Sequence, residues 1–165
     1  MTTREIMVTV NGTVRKATVE PRRTLADFVR VDLGLTATHL GCEHGVCGAC
    51  TILLDGEAVR SCLALAVHAD GHEITTVEGI AEPGQMHPVQ DALWESGAFQ
   101  CGFCTPGFVM TIYGMERDAR AGKACPRSRA EIREELSGNI CRCSGYQKIV
   151  DGAEAALAAV GEEQR

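Results

Sequence analysis

The sequence predicts an α+β chain in which a small mixed sheet crossed by one helix precedes an all-α domain of four helices. Apolar alternation brackets Asn11-Gly12 and Asp55-Gly56, dipeptides that favour two-residue hairpin turns because both residues tolerate φ > 0. The stretch from Glu78 to Gln85 carries two glycines and Pro83 and reads as a linker. Beyond it apolar residues recur at helical rather than alternating spacing. The domains are accordingly placed at residues 1–79 and 86–165, with the linker proper at 80–85, and each is expected to have its own core.

Taken in order, Ile6, Val8 and Val10 alternate with polar neighbours and the run from Thr13 to Val19 returns after the turn, giving two strands. Thr24-Leu25-Ala26-Asp27 resembles a capping box with Asp27 in place of the longer Glu, opening a helix to about Val31 that stops before Gly34. Thr51 to Leu54 and Ala58 to Ser61 form the second hairpin, and Glu73 to Val77 one more short strand. In the second half a helix opens at His87-Pro88, buries Val89, Ala92 and Leu93, and ends near Gly97. Thr105-Pro106 caps and opens the next, with Val109, Ile112 and Tyr113 along one side. Ser128-x-x-Glu131 is a further capping box, ahead of Ile132 and Leu136 at i,i+4 and then Gly138. The last helix starts at about Gln147 and buries Ile149 or Val150, Ala153, Leu157 and Val160, leaving the final five residues frayed.

Nine cysteines are an odd number for a disulfide framework, and their short-range clustering reads as metal binding. Cys42, Cys47 and Cys50, completed by Cys62, have the C-x4-C-x2-C…C spacing of a plant-type [2Fe–2S] site. Gly41, Gly45 and Gly48 suit a loop that needs positive φ and close approach of backbone N–H groups to an anionic cluster. His44 lies inside the loop as a polar residue, since four thiols complete the set. A structural zinc site is the rival, disfavoured because zinc sites use paired CxxC knuckles. The hairpin after the loop returns the chain so that Cys62 can meet the other three thiols. A second quartet, Cys101 and Cys104 with Cys141 and Cys143, pairs CxxC with CxC beside helix starts, whose N-termini favour an anion. On spacing alone it admits zinc as well as iron–sulfur, and Cys101/Cys104 a redox dithiol in which the CxC pair has no role. Cys125, near Lys123, Pro126 and Arg127, belongs to neither quartet.

With 165 residues, two small domains would be short of core, so metal ligation contributes to folding and the metal-free chain is expected to be poorly ordered. Aromatic residues are only 4%, which points the same way. A net charge of −6 without a basic stripe argues against nucleic acid; the most basic stretch, Arg117 to Arg129, is interrupted by Asp118. No apolar run is long enough for a membrane span, and no signal peptide is indicated, so a reducing cytoplasmic location is expected. No G-x-G-x-x-G follows a strand, which argues against nucleotide binding by this chain.

Four motifs then carry a resemblance: G-C-E-H-G-V-C-G-A-C at Gly41 to Cys50, S-C at Ser61-Cys62, Q-C-G-F-C-T-P-G at Gln100 to Gly107, and G-N-I-C-R-C-S-G-Y at Gly138 to Tyr146. From about Ile6 to Ala159 the chain resembles the small iron–sulfur subunit of the molybdenum hydroxylases, the family of xanthine oxidase, aldehyde oxidoreductases and aerobic carbon monoxide dehydrogenase. The resemblance implies a plant-ferredoxin-like β-grasp domain holding one [2Fe–2S] cluster on Cys42, Cys47, Cys50 and Cys62. It implies a four-helix domain holding a second on Cys101, Cys104, Cys141 and Cys143. It implies as partners a large subunit with a molybdopterin-type molybdenum cofactor and a medium subunit with FAD, in a dimer of heterotrimers. Gln100 and Cys143 match positions that touch the pterin in relatives, while Gly45, Gly48 and Gly102 line the clusters. Electron transfer between those partners is the function implied, with no catalytic site on this chain; a free two-cluster ferredoxin and a zinc-stabilised interaction module are the alternatives.

Overall fold

The computed structural model describes residues 2–126 and 128–163. Strands β1 (Arg4–Val10) and β2 (Thr13–Val19) form the first hairpin, antiparallel from Arg4↔Val19 to Val10↔Thr13. Asn11 and Gly12 both take positive φ (49° and 74°), as a primed two-residue turn requires. Strands β3 (Thr51–Leu54) and β4 (Glu57–Arg60) repeat the device around Asp55 (φ 51°) and Gly56 (φ 88°). That turn pairs Leu54 with Glu57, so β4 starts one residue earlier than the apolar run suggested.

Strand β5 (Glu73–Thr75) runs parallel to β1 and antiparallel to β3, completing a mixed sheet of order β2-β1-β5-β3-β4. The strand was expected to reach Val77. It stops at Thr75 because the Asn11 side chain captures Thr76, accepting from its N–H (2.9 Å) and donating to its hydroxyl (3.0 Å). Val77–Gly79 then coils into a 3-10 turn.

Helix α1 (Leu25–Asp27) is a single turn that continues as a π turn over Phe28–Asp32, with Leu33 N–H reaching the Phe28 carbonyl. Thr24 caps it by accepting from Asp27 N–H at 3.0 Å; the reciprocal bond from Asp27 is missing, its side chain being one methylene shorter than Glu. Leu25, Phe28 and Val29 are fully buried against Ile6, Val8, Val10, Ile52 and Ile74 of the sheet.

The helices are α2 (Pro88–Glu95), α3 (Thr105–Arg120), α4 (Arg129–Glu135) and α5 (Tyr146–Glu163). His87 and Gln90 form a capping box on α2, and Ser128 and Glu131 one on α4. Helix α3 departs from expectation: Cys104 occupies the N-cap and Thr105 is its first helical residue, because Pro106 then falls in the first turn where no N–H is needed. Helix α5 continues through Glu163 instead of fraying over the last five residues; positions 164–165, like Arg127 of the basic stretch, lie outside the described residues. Leu157 is half-buried, and Ala156 joins Ile149, Val150, Ala153 and Val160 in the buried set.

The two halves do not have wholly separate cores, contrary to the expectation from the linker. Successive residues of a strand face opposite sides of the sheet, yet Ile52 and Leu53 are both fully buried. Ile52 packs under α1, whereas Leu53 joins Phe108, Met110, Ile112 and Met115 of α3 in the helical core. A strand apolar on both faces needs cover on both, and α3 supplies the second cover. Ile80 also packs into the helical core, and Glu78 accepts from Ala37 N–H at 2.9 Å. Among the described residues no helix is long and apolar enough to cross a membrane.

Candidate metal centres

The first three thiols sit on the irregular loop between the π turn and β3, and the β3–β4 hairpin brings Cys62 back to them. They come together as two pairs. Cys42 and Cys47 are half-buried and joined at the sulfur, with Cys47 N–H donating to Cys42 Sγ at 3.4 Å. Cys50 and Cys62 are buried and share a thiol–thiol hydrogen bond. In the second quartet Cys104 and Cys141 form the inner pair, and Cys101 and Cys143 the outer one, with Cys101 exposed.

The metal-free thiols differ because the pairs differ in solvation. Backbone N–H groups of His44 and Cys47, joined by Val46, hold Cys42 down to about 6. Burial pushes Cys62 up to about 11, reinforced by the thiol and charge of Cys50 and opposed by the N–H of Gly45. Burial, with the Cys141 thiol, raises Cys104 to about 12. Cys101 is lowered, chiefly by Phe103 N–H. Cys143 receives a backbone hydrogen bond from Cys101, which lowers it, but the Cys101 thiol, burial and charge together leave it raised. Each quartet thus has a wet pair and a dry pair.

Two adjacent thiol pairs would supply the four thiolates that a two-iron, two-sulfide cluster needs, and such a cluster would supply one-electron redox chemistry. Among the described residues no three His, Cys, Asp or Glu side chains gather round a single ion position. The glycines fit in part as expected. Gly45 (φ 85°) turns its N–H to Cys62, and Gly48 (φ 73°) and Gly102 (φ 80°) also lie in the left-handed region. Gly41 does not; a Cβ there would lie 3.2 Å from Cys47 Sγ and 3.3 Å from Phe103, so room and not φ explains it. Glu43 takes the positive φ (55°) instead. His44 is exposed and its Nδ1 contacts the Cys42 carbonyl. Cys125 is half-buried, apart from both quartets in sequence and in pairing.

Gln100 is exposed and donates from Nε2 to the Cys143 carbonyl at 3.1 Å, so the structure brings these two residues together at the outer pair. Sequence reasoning missed the polar links between the quartets. Ile140 N–H donates to the Cys47 carbonyl at 2.9 Å, and Asn139 Nδ2 to the Gly48 carbonyl at 3.1 Å. Arg60 reaches Thr51 Oγ1 (2.7 Å) and the Gly138 carbonyl (2.8 Å). His39 stacks on Phe103 and contacts its carbonyl at 2.8 Å. Asn139 stands in the G-N-I-C-R-C motif, and a polar residue fixed beside ligand cysteines was the available signal.

A mixed sheet with three thiols on one loop and a fourth returned to it by a hairpin, joined to a helical domain with a second four-thiol set, has the build of a two-centre iron–sulfur carrier. A family described as 2Fe-2S iron-sulfur cluster binding domain matches residues 8–76, and one described as [2Fe-2S] binding domain matches residues 76–154. Caffeine dehydrogenase subunit gamma of Pseudomonas sp. (strain CBB1) is 51% identical over 156 residues, covering 94% of this chain and 92% of that one. Nicotine 6-hydroxylase small subunit of Paenarthrobacter nicotinovorans is 51% identical over 158 residues, covering 96% and 90%. The crystal structure of quinoline 2-oxidoreductase from Pseudomonas putida 86 superposes with a TM-score of 0.89 at 44% identity, over 100% of both chains. The chain belongs to the small iron–sulfur subunits of the molybdenum hydroxylase (xanthine oxidase/aldehyde oxidoreductase) family. It is an electron-transfer subunit of a multisubunit enzyme and carries no catalytic site of its own.

Proposed function

We propose that Cys42, Cys47, Cys50 and Cys62 hold one [2Fe–2S] cluster and that Cys101, Cys104, Cys141 and Cys143 hold a second, the two domains spanning residues 1–79 and 86–165 with the linker at 80–85. The chain stands between a large subunit bearing a molybdopterin-type molybdenum cofactor and a medium subunit bearing FAD, in a cytoplasmic dimer of heterotrimers. The arrangement of both quartets as paired thiols is the observation that carries this reading. When bound, such clusters supply one-electron carriers whose potentials respond to hydrogen bonding and solvent exposure.

This chain's residues supply that environment. N–H groups of His44, Val46 and Cys47 stabilise the Cys42 thiolate, and Gly45 N–H does so for Cys62. Burial of Cys50, Cys62 and Cys141 excludes water from one side of each set. The outer pair Cys101/Cys143, with Gln100 on the Cys143 carbonyl, faces the molybdopterin partner, and Gln100 amide groups suit the polar edge of a pterin. Exposed Val46 and Leu63 beside the first quartet face the flavin partner. Electrons therefore enter at the helical domain and leave at the sheet domain. Three relatives are named for caffeine, nicotine and quinoline, which makes N-heterocycles the first substrate class to assay on the assembled enzyme.

Iron and acid-labile sulfide in the loaded chain test the assignment: four of each are expected, and two would overturn it. Copurification of large subunits from the native host is expected; a chain isolated alone with both clusters would instead be a free ferredoxin. In the assembled complex, Gln100→Ala should slow reduction of the chain by the molybdenum partner, followed by rapid-freeze EPR, and spare exchange with the flavin partner. The opposite pattern would reverse the orientation.

A further inference from the structure

Asn139 is 2% exposed and lies two residues before Cys141, on the helical side of the junction between the quartets. Its Nδ2 donates to the Gly48 carbonyl at 3.1 Å, across 91 residues of chain. Its Oδ1 accepts from Thr111 Oγ1 (3.2 Å) and, more weakly, from Arg60 Nη2 (3.5 Å). These partners fix the amide orientation, because a flipped amide would turn its NH2 toward the guanidinium and its oxygen toward a carbonyl. Arg60 binds both sides of the junction at once, Thr51 Oγ1 on β3 and the Gly138 carbonyl beside Asn139.

The Gly48 carbonyl lies within the segment from Cys47 to Cys50 and also accepts from Thr51 Oγ1 (2.6 Å) and Thr51 N–H (3.2 Å). In a trans peptide the carbonyl and the following N–H point opposite ways, so clamping this oxygen fixes the direction of Ala49 N–H within the loop. There is no slack at the contact. A Cβ on Gly48 would lie 2.6 Å from the Gly138 carbonyl oxygen and 2.7 Å from Asn139 Nδ2, and a Cβ on Gly107 would overlap the Gly48 carbonyl oxygen.

We infer that Asn139, braced by Arg60, is a positioning residue that sets the mutual distance and orientation of the two thiol quartets. The inference rests on the assignment of both quartets as cluster ligands. The amide ties the loop of the first quartet to the irregular segment leading into Cys141 through its donor to Gly48. Asn139→Asp keeps the volume and the acceptor for Arg60 and Thr111 but replaces that donor with an oxygen facing the Gly48 carbonyl.

The test uses the complete enzyme complex carrying Asn139→Asp. Iron and labile sulfide are measured first: a wild-type protein with two irons per chain would overturn the ligand assignment, whereas four irons in both proteins leave the positioning claim standing alone. With both centres reduced, the spin–spin splitting in low-temperature EPR should broaden or collapse in the variant, because the distance between the centres is no longer single-valued. Hydrogen exchange should accelerate about fivefold in the segments containing residues 47–51 and 138–141 together, the factor for losing one ordinary hydrogen bond. An unchanged splitting, or faster exchange confined to 138–141, would reduce Asn139 to a local structural role and overturn the inference. Arg60→Lys keeps the charge but cannot span Thr51 and Gly138 together, and it is read by the same splitting. If Asn139→Asp does not assemble, an unchanged splitting in Arg60→Lys overturns the inference and a broadened one supports it.

Discussion

Gly107→Ala should destabilise the chain even though it places a better helix former inside α3. Gly107 has an ordinary helical backbone, so the substitution alone should gain up to about 1 kcal/mol from reduced unfolded-state entropy. Against this, the new Cβ would overlap the Gly48 carbonyl oxygen and lie 3.0 Å from Ala49 Cα. Both are backbone atoms of the thiol loop, so no rotamer change relieves the contact, and α3 must move off the loop. Overpacking of this kind costs about 1–3 kcal/mol, and the rigid neighbours put it at the upper end. The net loss is then about 1–2 kcal/mol, or about 2–8 °C in Tm for a chain of this size. The control is Gly114→Ala on the same helix, where the Cβ would meet Leu53 Cδ2 at 3.4 Å and Ala58 Cβ at 3.9 Å, both side-chain contacts at ordinary van der Waals distance; it should be neutral or stabilising. Thermal unfolding of the loaded protein, followed anaerobically by visible circular dichroism, reads both. A Tm for Gly107→Ala equal to or above wild type, with full iron content, would refute the claim that α3 is seated on the loop by the missing side chain.

Leu53→Ala should cost about 2–5 kcal/mol and weaken the helical domain along with the sheet, because its side chain lies in the helical core; proteolysis confined to residues of the sheet domain would contradict that. Cys125→Ser should leave iron and labile sulfide unchanged, and loss of a centre would show that the ligands are misassigned. Removing iron with a chelator should open the irregular segment of residues 33–50, which has no regular secondary structure to hold it, before it opens β1 and β2. Mass-resolved hydrogen exchange would show the order, and equal protection of both regions in the metal-free chain would contradict it.

What the sequence revealed was chemistry carried by neighbouring residues. Asn11-Gly12 and Asp55-Gly56 each dictate a turn, and the turn dictates the register of its hairpin. Ser128 and Glu131 contain both halves of a helix cap within four residues. Cys42, Cys47 and Cys50 were legible as a group for the same reason, being close in the chain, whereas the pairs Cys101/Cys143 and Cys104/Cys141 join separate segments. Contacts between distant residues were not legible. The run Ile52-Leu53-Leu54 signals a strand covered on both faces, but nothing near it names α3 as the second cover, and the capture of Thr76 by Asn11 spans 65 residues. The π turn after Asp27 also escaped, since Phe28 to Asp32 have the apolar spacing of an ordinary helix. Arg60 carried no signal in the sequence and Asn139 only that of a motif; the junction brings them together.

The bonds across that junction also bear on how the protein is made. The Cys47 and Gly48 carbonyls find partners at Ile140 and Asn139, and the latter pair is 91 residues apart. A ribosome adding 5–20 residues per second therefore leaves the first thiol loop without those partners for about 5–20 s after it is synthesised. During that interval the sheet can pair but one side of the loop is open. Iron delivered early would meet a half-built loop, whereas iron delivered after Asn139 has docked meets a closed one. The final shape of the first thiol loop thus depends on a partner translated 91 residues after it.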